Sequence, residues 1–260
     1  MLKKRVIPIL QLKNDELVKS IRFQKHQYVG DPINAVKIFN DLKADELVFL
    51  DISATEERRA TLLPLVQEIA HHLSIPFTVG GGIQSVRDVS NLLQAGADKV
   101  SLNSAAVNNP KLIQELSMAF GRQCIVLAID SKEIFGKDTV FIHGGKKPTE
   151  LETLDWARRG IDLGAGELLL TSMDFDGTKK GFDLRLLQKI SKALPVPIIA
   201  SGGAGNTTHF SEVFTKTNVK YIFEYRFSIY TLACLIVIPF RLSVPIVFKK
   251  ICPSRFTTSE

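Results

Sequence analysis

The chain predicts a (β/α)8 barrel of the TIM type, a closed ring of parallel strands wrapped in helices and built from two similar half-barrels. Three observations carry this. Short apolar runs alternate with helix-period amphipathic segments along most of the 260 residues, the pattern of a parallel sheet covered by helices. Seven such units plus a remainder fit the roughly 250 residues of that barrel. The segments also repeat at a spacing near 120: Phe49-Leu-Asp-Ile-Ser53 aligns with Leu169-Leu-Thr-Ser-Met173, and Thr78-Val-Gly-Gly-Gly82 with Ile199-Ala-Ser-Gly-Gly203. Such repetition sets the register between the halves. A doubly wound open sheet is the alternative, but it calls for Gly-x-Gly-x-x-Gly after the first strand, which is absent.

Taken in order, the first strand is the apolar run Arg5–Leu10, followed by a long polar loop, Asn14–Gly30, and a helix over Asp31–Leu42. Strands at Glu46–Asp51, Phe77–Val79 and Lys99–Leu102 are separated by helical patterns at Leu62–Leu73 and Val86–Ala95. The first half closes with a helix at Pro110–Phe120, and the second opens with a strand at Cys124–Asp130. It continues with a helix at Thr153–Leu163, a strand at Glu167–Thr171, a helix at Leu184–Leu194 and a strand at Ile198–Ser201.

The repeat tests the C-terminus. Lys99-Val-Ser-Leu-Asn-Ser-Ala-Ala106 should have a counterpart near residues 220–227, yet Lys220-Tyr-Ile-Phe-Glu-Tyr-Arg-Phe227 carries bulky residues where small ones are expected. The eighth βα unit is therefore expected to be aberrant or missing, with the barrel over residues 1–219 and an apolar, basic tail over 220–260. A membrane span over 228–248 is weakened by Pro239, Arg241 and Pro245. Translation out of frame after Val219 accounts for the tail more simply.

The net charge of +6 does not mark a nucleic-acid binder, because about +4 of it lies from Val219 onward and no basic stripe with interleaved aromatics crosses the body. Cys124, Cys234 and Cys252 have neither metal nor disulfide spacing. With no signal peptide at the start, a cytoplasmic protein is expected, without metal or cofactor.

Chemistry concentrates at the strand ends. Gly81 and Gly82, and in the matching place Gly202 and Gly203, form turns that let backbone N–H groups approach phosphate oxygens. Glycines also serve simply to make tight βα turns, but two symmetry-related turns argue for a ligand with two phosphates. Asn103, Ser104, Asp176, Gly177, Thr171 and Ser201 extend those two sites, Asp51 and Asp174 face the same end, and Lys19 in the Asn14–Gly30 loop either closes over an anion or is simply a solvated loop charge.

Two strands echo each other there. Val6-Ile-Pro-Ile-Leu-Gln-Leu-Lys13 is answered by Ile125-Val-Leu-Ala-Ile-Asp-Ser-Lys132, so Gln11 stands where the second half has Asp130. A carboxylate takes and gives protons near neutral pH and an amide does not. At the opposite ends of the strands, Arg5, Glu46, Lys99 and Glu167 each begin an apolar run, so in a barrel they would ring its bottom, as a salt-bridge cluster or as a gate.

Several stretches together resemble the HisF family, the cyclase subunit of imidazole glycerol phosphate synthase, over about residues 1–219. They are Asp45-Glu-Leu-Val-Phe-Leu-Asp-Ile52, Phe77-Thr-Val-Gly-Gly-Gly-Ile83, Gly96-Ala-Asp-Lys-Val-Ser-Leu-Asn103, Leu169-Leu-Thr-Ser172 with Asp176-Gly-Thr178, and Ile198-Ile-Ala-Ser-Gly-Gly-Ala-Gly205. The resemblance implies a two-half barrel that receives ammonia from a glutaminase subunit docked at its bottom and passes it to a phosphorylated substrate at its top. It implies that Arg5, Glu46, Lys99 and Glu167 form the ammonia gate, that Gly82, Asn103 and Ser104 hold one phosphate, and that Asp176, Gly177 and Gly203 hold part of the other. Asp130 matches one of two catalytic aspartates, and Gln11 occupies the place of the second. That departure, with Gln24-Lys-His-Gln-Tyr-Val-Gly-Asp-Pro-Ile-Asn-Ala35 and Arg5-Val-Ile-Pro8, looks more like HisF-like (WbuZ-type) paralogues of surface-polysaccharide synthesis. These are expected to channel ammonia to a sugar amidotransferase. A cyclase of histidine biosynthesis that tolerates Gln11, and an inactive product of a frameshifted gene, are the alternatives.

Overall fold

The computed structural model describes residues 4–13, 16–21, 24–54 and 62–224. The first half runs β1 (Arg5–Lys13), β2 (Glu16–Ile21), β3 (Gln24–Gly30), α1 (Pro32–Asp41), β4 (Leu47–Asp51), α2 (Leu63–His72), β5 (Phe77–Gly80), α3 (Val86–Gln94), β6 (Lys99–Leu102), α4 (Ser104–Asn108) and α5 (Lys111–Phe120). The second runs β7 (Ile125–Ile134), β8 (Lys137–Ile142), β9 (Lys147–Glu152), α6 (Thr153–Asp162), β10 (Glu167–Ser172), α7 (Leu184–Ala193), β11 (Ile198–Ser201), α8 (Thr207–Lys216) and β12 (Tyr221–Glu224). Strands β1, β4, β5, β6, β7, β10, β11 and β12 pair in parallel, and the β12–β1 and β7–β10 ladders close them into an eight-stranded barrel.

Helices start where side chains replace the missing intrahelical acceptors. Asp31 accepts from the Asn34 N–H at 2.8 Å ahead of Pro32, Ser85 and Asp88 form a reciprocal capping box, and Asp183 caps α7 through the Leu186 N–H. Between helices and strands lies an outer apolar layer containing Phe49, Phe77, Trp156 and Phe210. A second cluster, with Ile7, Ile9, Val48, Val126, Leu169, Ile199, Tyr221 and Phe223, fills the barrel itself.

The eighth position is less aberrant than sequence pattern alone expects. Tyr221–Glu224 forms a strand that pairs with β1 (Arg5 opposite Tyr221, Ile7 opposite Phe223) and with β11 (Ile199 opposite Tyr221), so the barrel extends past Val219. Bulky residues do not prevent this, because Tyr221 and Phe223 pack inside the barrel while Ile222 joins the outer layer. The remaining residues, 225–260, including the 228–248 stretch, lie outside the described residues. Among the described residues no helix is long and apolar enough to cross a membrane.

Two segments depart from the expected elements. Residues read as the Asn14–Gly30 loop form β2 and β3, with β2 antiparallel to β1 (Gln11 opposite Val18, Leu12 opposite Leu17). Buried Leu17 and Val18 anchor that return. The strand at Cys124 does not stop at Asp130 but continues to Ile134 and turns into β8 and β9.

Trp156 is almost fully buried, and its indole Nε1 has no hydrogen-bond partner. An unsatisfied buried donor costs stability, whereas the ring's contacts contribute it. Trp156→Phe is therefore expected to change unfolding free energy by less than about 1 kcal/mol, against a loss of about 3–5 kcal/mol for Trp156→Ala, as measured by urea denaturation.

Candidate functional site

Side chains of a strand alternate between faces, so in the closed barrel each strand presents one inward column. The C-terminal ends of those columns open on a single cavity. It is lined by Gln11, Asp51, Gly81, Gly82, Asn103, Ser104, Asp130, Thr171, Asp176 and Ser201, all of them candidates from sequence. Gly202 and Gly203 pack beside it: a side chain on Gly202 would press on the Ser172 carbonyl, and one on Gly203 would collide with the Gly181 carbonyl. Gly81 is held the same way against the Asp51 carbonyl, and both Gly81 (φ +101°) and Gly203 (φ +106°) adopt backbone conformations that L side chains rarely take. Symmetry-related turns thus fill symmetry-related places, with Gly177 (φ +80°) beside the second.

Asp130 sits on β7 with its carboxylate buried. Asn103 donates to its Oδ2 at 2.8 Å. Burial first, and then the negative charge of Asp176, push its pKa up to about 7 against the opposing pull of the Asn103 hydrogen bond. Gln11 enters the same cavity from β1, and its Oε1 is buried with no hydrogen-bond partner.

Two carboxylates are held by neighbouring groups. Asp174 turns away from the cavity, its Oδ2 accepting the Glu133 N–H at 3.0 Å. Asp51 does line the cavity, but its Oδ1 accepts from the Ser53 hydroxyl at 3.2 Å and the Ala54 N–H at 3.0 Å, which ties it to its own turn. Lys19 lies on β2, and its side chain falls outside the described residues. Pattern reading missed Gly144 and Lys146, which line the cavity from the β8–β9 turn, and Lys13 at the end of β1. A glycine pair, Gly144-Gly145, between two strand-like runs was the available signal.

At the other mouth, all four bottom residues meet. Lys99 Nζ donates to Glu167 at 3.0 Å and to Glu46 at 3.1 Å, and Arg5 approaches Glu46 at 3.8 Å. Thr78, missed from sequence although it lies on β5 beside them, donates to Glu46 Oε1 at 2.9 Å. Burial lowers the Lys99 pKa, but the two carboxylates more than offset it and raise it overall. Burial outweighs the attraction of Lys99 at Glu167, whose pKa is also raised. Between the two mouths the inward columns are apolar. Among the described residues no group of three or more His, Cys, Asp or Glu side chains is placed to hold a metal ion.

A family model described as "Histidine biosynthesis protein" matches residues 5–223. The chain is 54% identical over 220 residues to the imidazole glycerol phosphate synthase subunit HisF of Bacillus cereus strain G9842, covering 84% of this chain and 87% of that one. The HisF subunits of strains Q1 and AH187 match to the same extent. The chain belongs to the HisF family.

Within this HisF-family barrel the raised Asp130 has a thermodynamic signature. A carboxyl with a folded pKa of about 7 and an ordinary unfolded value binds more protons when folded between about pH 4 and 7. Stability is therefore fully favoured below that window and falls as pH rises through it. Asp130→Asn, which keeps an acceptor for Asn103 and removes the charge, is expected to match the parent near pH 4 and to melt about 5 °C higher at pH 8. Scanning calorimetry at the two pH values reads the difference.

Proposed function

We propose that this barrel receives ammonia at its N-terminal mouth from a docked glutaminase subunit and delivers it to a two-phosphate ligand at its C-terminal mouth, as the cyclase subunit of an imidazole glycerol phosphate synthase. One observation carries the reading: an ion-paired ring at one mouth and a proton-exchanging Asp130 at the other are joined by an apolar interior. Apolar walls admit neutral ammonia and penalise ammonium, because an unpaired charge there loses its hydration. Lys99, held by two carboxylates, closes the entrance until a partner's docking shifts one of its pairs.

At the far mouth the Gly81–Gly82 turn, Asn103 and Ser104 hold one phosphate, and Asp176, Gly177, Gly202 and Gly203 the other. Asp51, Thr171 and Ser201 line the space between. With a pKa of about 7, Asp130 is populated in both forms at neutral pH and serves as the acid in one proton transfer and the base in another. Gln11 hydrogen-bonds to the ligand through its amide but moves no proton.

The similarity to named HisF subunits favours this reading over ammonia delivery to a sugar amidotransferase. Gln11 is the specific observation on the other side, since channelling needs the ring of four and not a second carboxylate.

The test is turnover of the synthase's two-phosphate substrate with ammonium salts in place of a glutaminase. Asp130→Asn is expected to lose roughly 10²–10⁴-fold, and Gln11→Asp to gain by a similar factor over the parent chain. If both the parent and Gln11→Asp are inactive, the cyclase reading is wrong and ammonia delivery to a second acceptor replaces it. Reversing charge with Lys99→Glu is expected to leave ammonium-driven turnover within about threefold. Glutaminase-driven product should then fall below about a tenth of the glutamine hydrolysed, since the lesion lies at the entrance and not at Asp130. Equal coupling ratios in parent and variant would remove the gate assignment.

A further inference from the structure

Outside the cavity, the largest charge cluster of the described residues joins the hairpin to α7. Asp138 on β8 is only 3% exposed and accepts from Arg185 Nη2 at 2.6 Å, from Arg185 Nη1 at 3.1 Å and from Lys189 Nζ at 3.1 Å. Arg185 also meets Glu133 at 3.2 Å, and Lys189 meets Glu152 at 2.8 Å. Four residues apart, the two cations share one face of α7. That face grips all three strands of the hairpin: Glu133 of β7, Asp138 of β8 and Glu152 of β9. A further bond, from the Glu133 N–H to Asp174, ties the hairpin to the loop that carries Asp176 and Gly177.

The other end of the hairpin reaches the cavity. Its turn places the His143 N–H 2.8 Å from Ser104 Oγ. Because that hydroxyl oxygen accepts from the backbone, its own proton is left to donate elsewhere. Asp138 lies about 16 Å back along β8 from His143, at roughly 3.3 Å per residue, and none of the ion-paired side chains lines the cavity. Well-packed apolar residues of similar volume stabilise a site like Asp138 as well as an ion pair does. What a forked guanidinium adds is direction, because it accepts only one angle of approach from the carboxylate.

We infer that Arg185 and Lys189 are positioning residues that hold the β7–β8–β9 hairpin at one angle, so that His143 orients the Ser104 hydroxyl toward a phosphate oxygen. The inference rests on the reading of Ser104 as a phosphate ligand. It deepens that reading by coupling the two phosphate ends. The loop bearing Asp176 and Gly177 is tied to the hairpin, and the hairpin's turn sets Ser104.

Two readouts test it on the full chain carrying Asp138→Asn or Arg185→Gln. In amide hydrogen exchange by NMR, the His143 amide is expected to exchange at least about tenfold faster in both variants, while core amides of α5 such as Ile113 and Leu116 keep their protection. In calorimetric titration with inorganic phosphate, affinity is expected to fall about five- to tenfold, the scale of one misdirected hydrogen bond. Adding Ser104→Ala to Asp138→Asn should cost nothing beyond Ser104→Ala alone, a non-additivity that general destabilisation does not produce. Arg185→Lys, which keeps a cation but loses the fork, is expected to recover little of the affinity.

An unchanged His143 exchange rate, or phosphate losses that add in full with Ser104→Ala, overturns the inference. Should Asp138→Asn not fold, Arg185→Gln and Lys189→Gln, both at partly exposed residues, carry the same comparison. If the parent chain binds no phosphate, the reading of Ser104 fails by itself, and His143 exchange still decides whether the clamp sets the turn.

Discussion

Every functional feature of this barrel depends on one geometric constraint, the two-residue alternation of side chains inside a closed sheet. Arg5, Ile7, Ile9 and Gln11 form one inward column, Glu46, Val48 and Leu50 another, Val126, Ala128 and Asp130 a third, and Glu167, Leu169 and Thr171 a fourth. Each begins in the charged ring or the apolar middle, and those that reach the far mouth end in a polar or titratable group. A slip of one residue in any strand would exchange its inward and outward sets. The ring, the apolar interior and the cavity are therefore three levels of one register, and parallel pairing all the way round holds it.

That register puts like charges into partly dry places and leaves the neighbours to settle them. At the bottom, Lys99 between Glu46 and Glu167 is a neutralising arrangement in which both glutamates need the same ammonium. At the top, among the described residues, no cation is bonded to Asp130. Its buried carboxylate faces Asp176 with the Asn103 amide as its donor, and so its pKa rises toward neutrality. Charge is compensated at one end and left uncompensated at the other.

The two halves diverge where chemistry is concentrated. Glycine turns at Gly81–Gly82 and Gly202–Gly203 remain equivalent because both must pass close to a neighbouring backbone. Gln11 and Asp130 are no longer equivalent. One brings an amide oxygen without a partner into the cavity and the other brings a buried acid with a raised pKa, so at this matched pair of positions only β7 contributes a titratable group. The halves differ also in the segments after those strands: β1 returns through β2, whereas β7 extends into a hairpin clamped by α7.

Much of this was legible in the chain, because a strand's alternation and a repeat near 120 residues are written in adjacent or regularly spaced residues. The barrel class, the inward ring Arg5, Glu46, Lys99 and Glu167, the glycine turns and the pairing of Gln11 with Asp130 follow from those patterns alone. Legibility ended where partners are distant and aperiodic. Asp174 looked like a site residue until the Glu133 N–H claimed it, the Asn14–Gly30 loop proved to be strands, and Tyr221–Glu224 closed the barrel despite its bulk. By itself the sequence determined most of the inward positions, but its match of Phe49 with Leu169 is one residue out of step, since Phe49 packs in the outer layer and Leu169 inside the barrel. Only the tertiary structure decided which charges meet, as Asp138 meets Arg185 47 residues away, because electrostatic and hydrogen-bond energies depend on separation in space and are indifferent to separation along the chain.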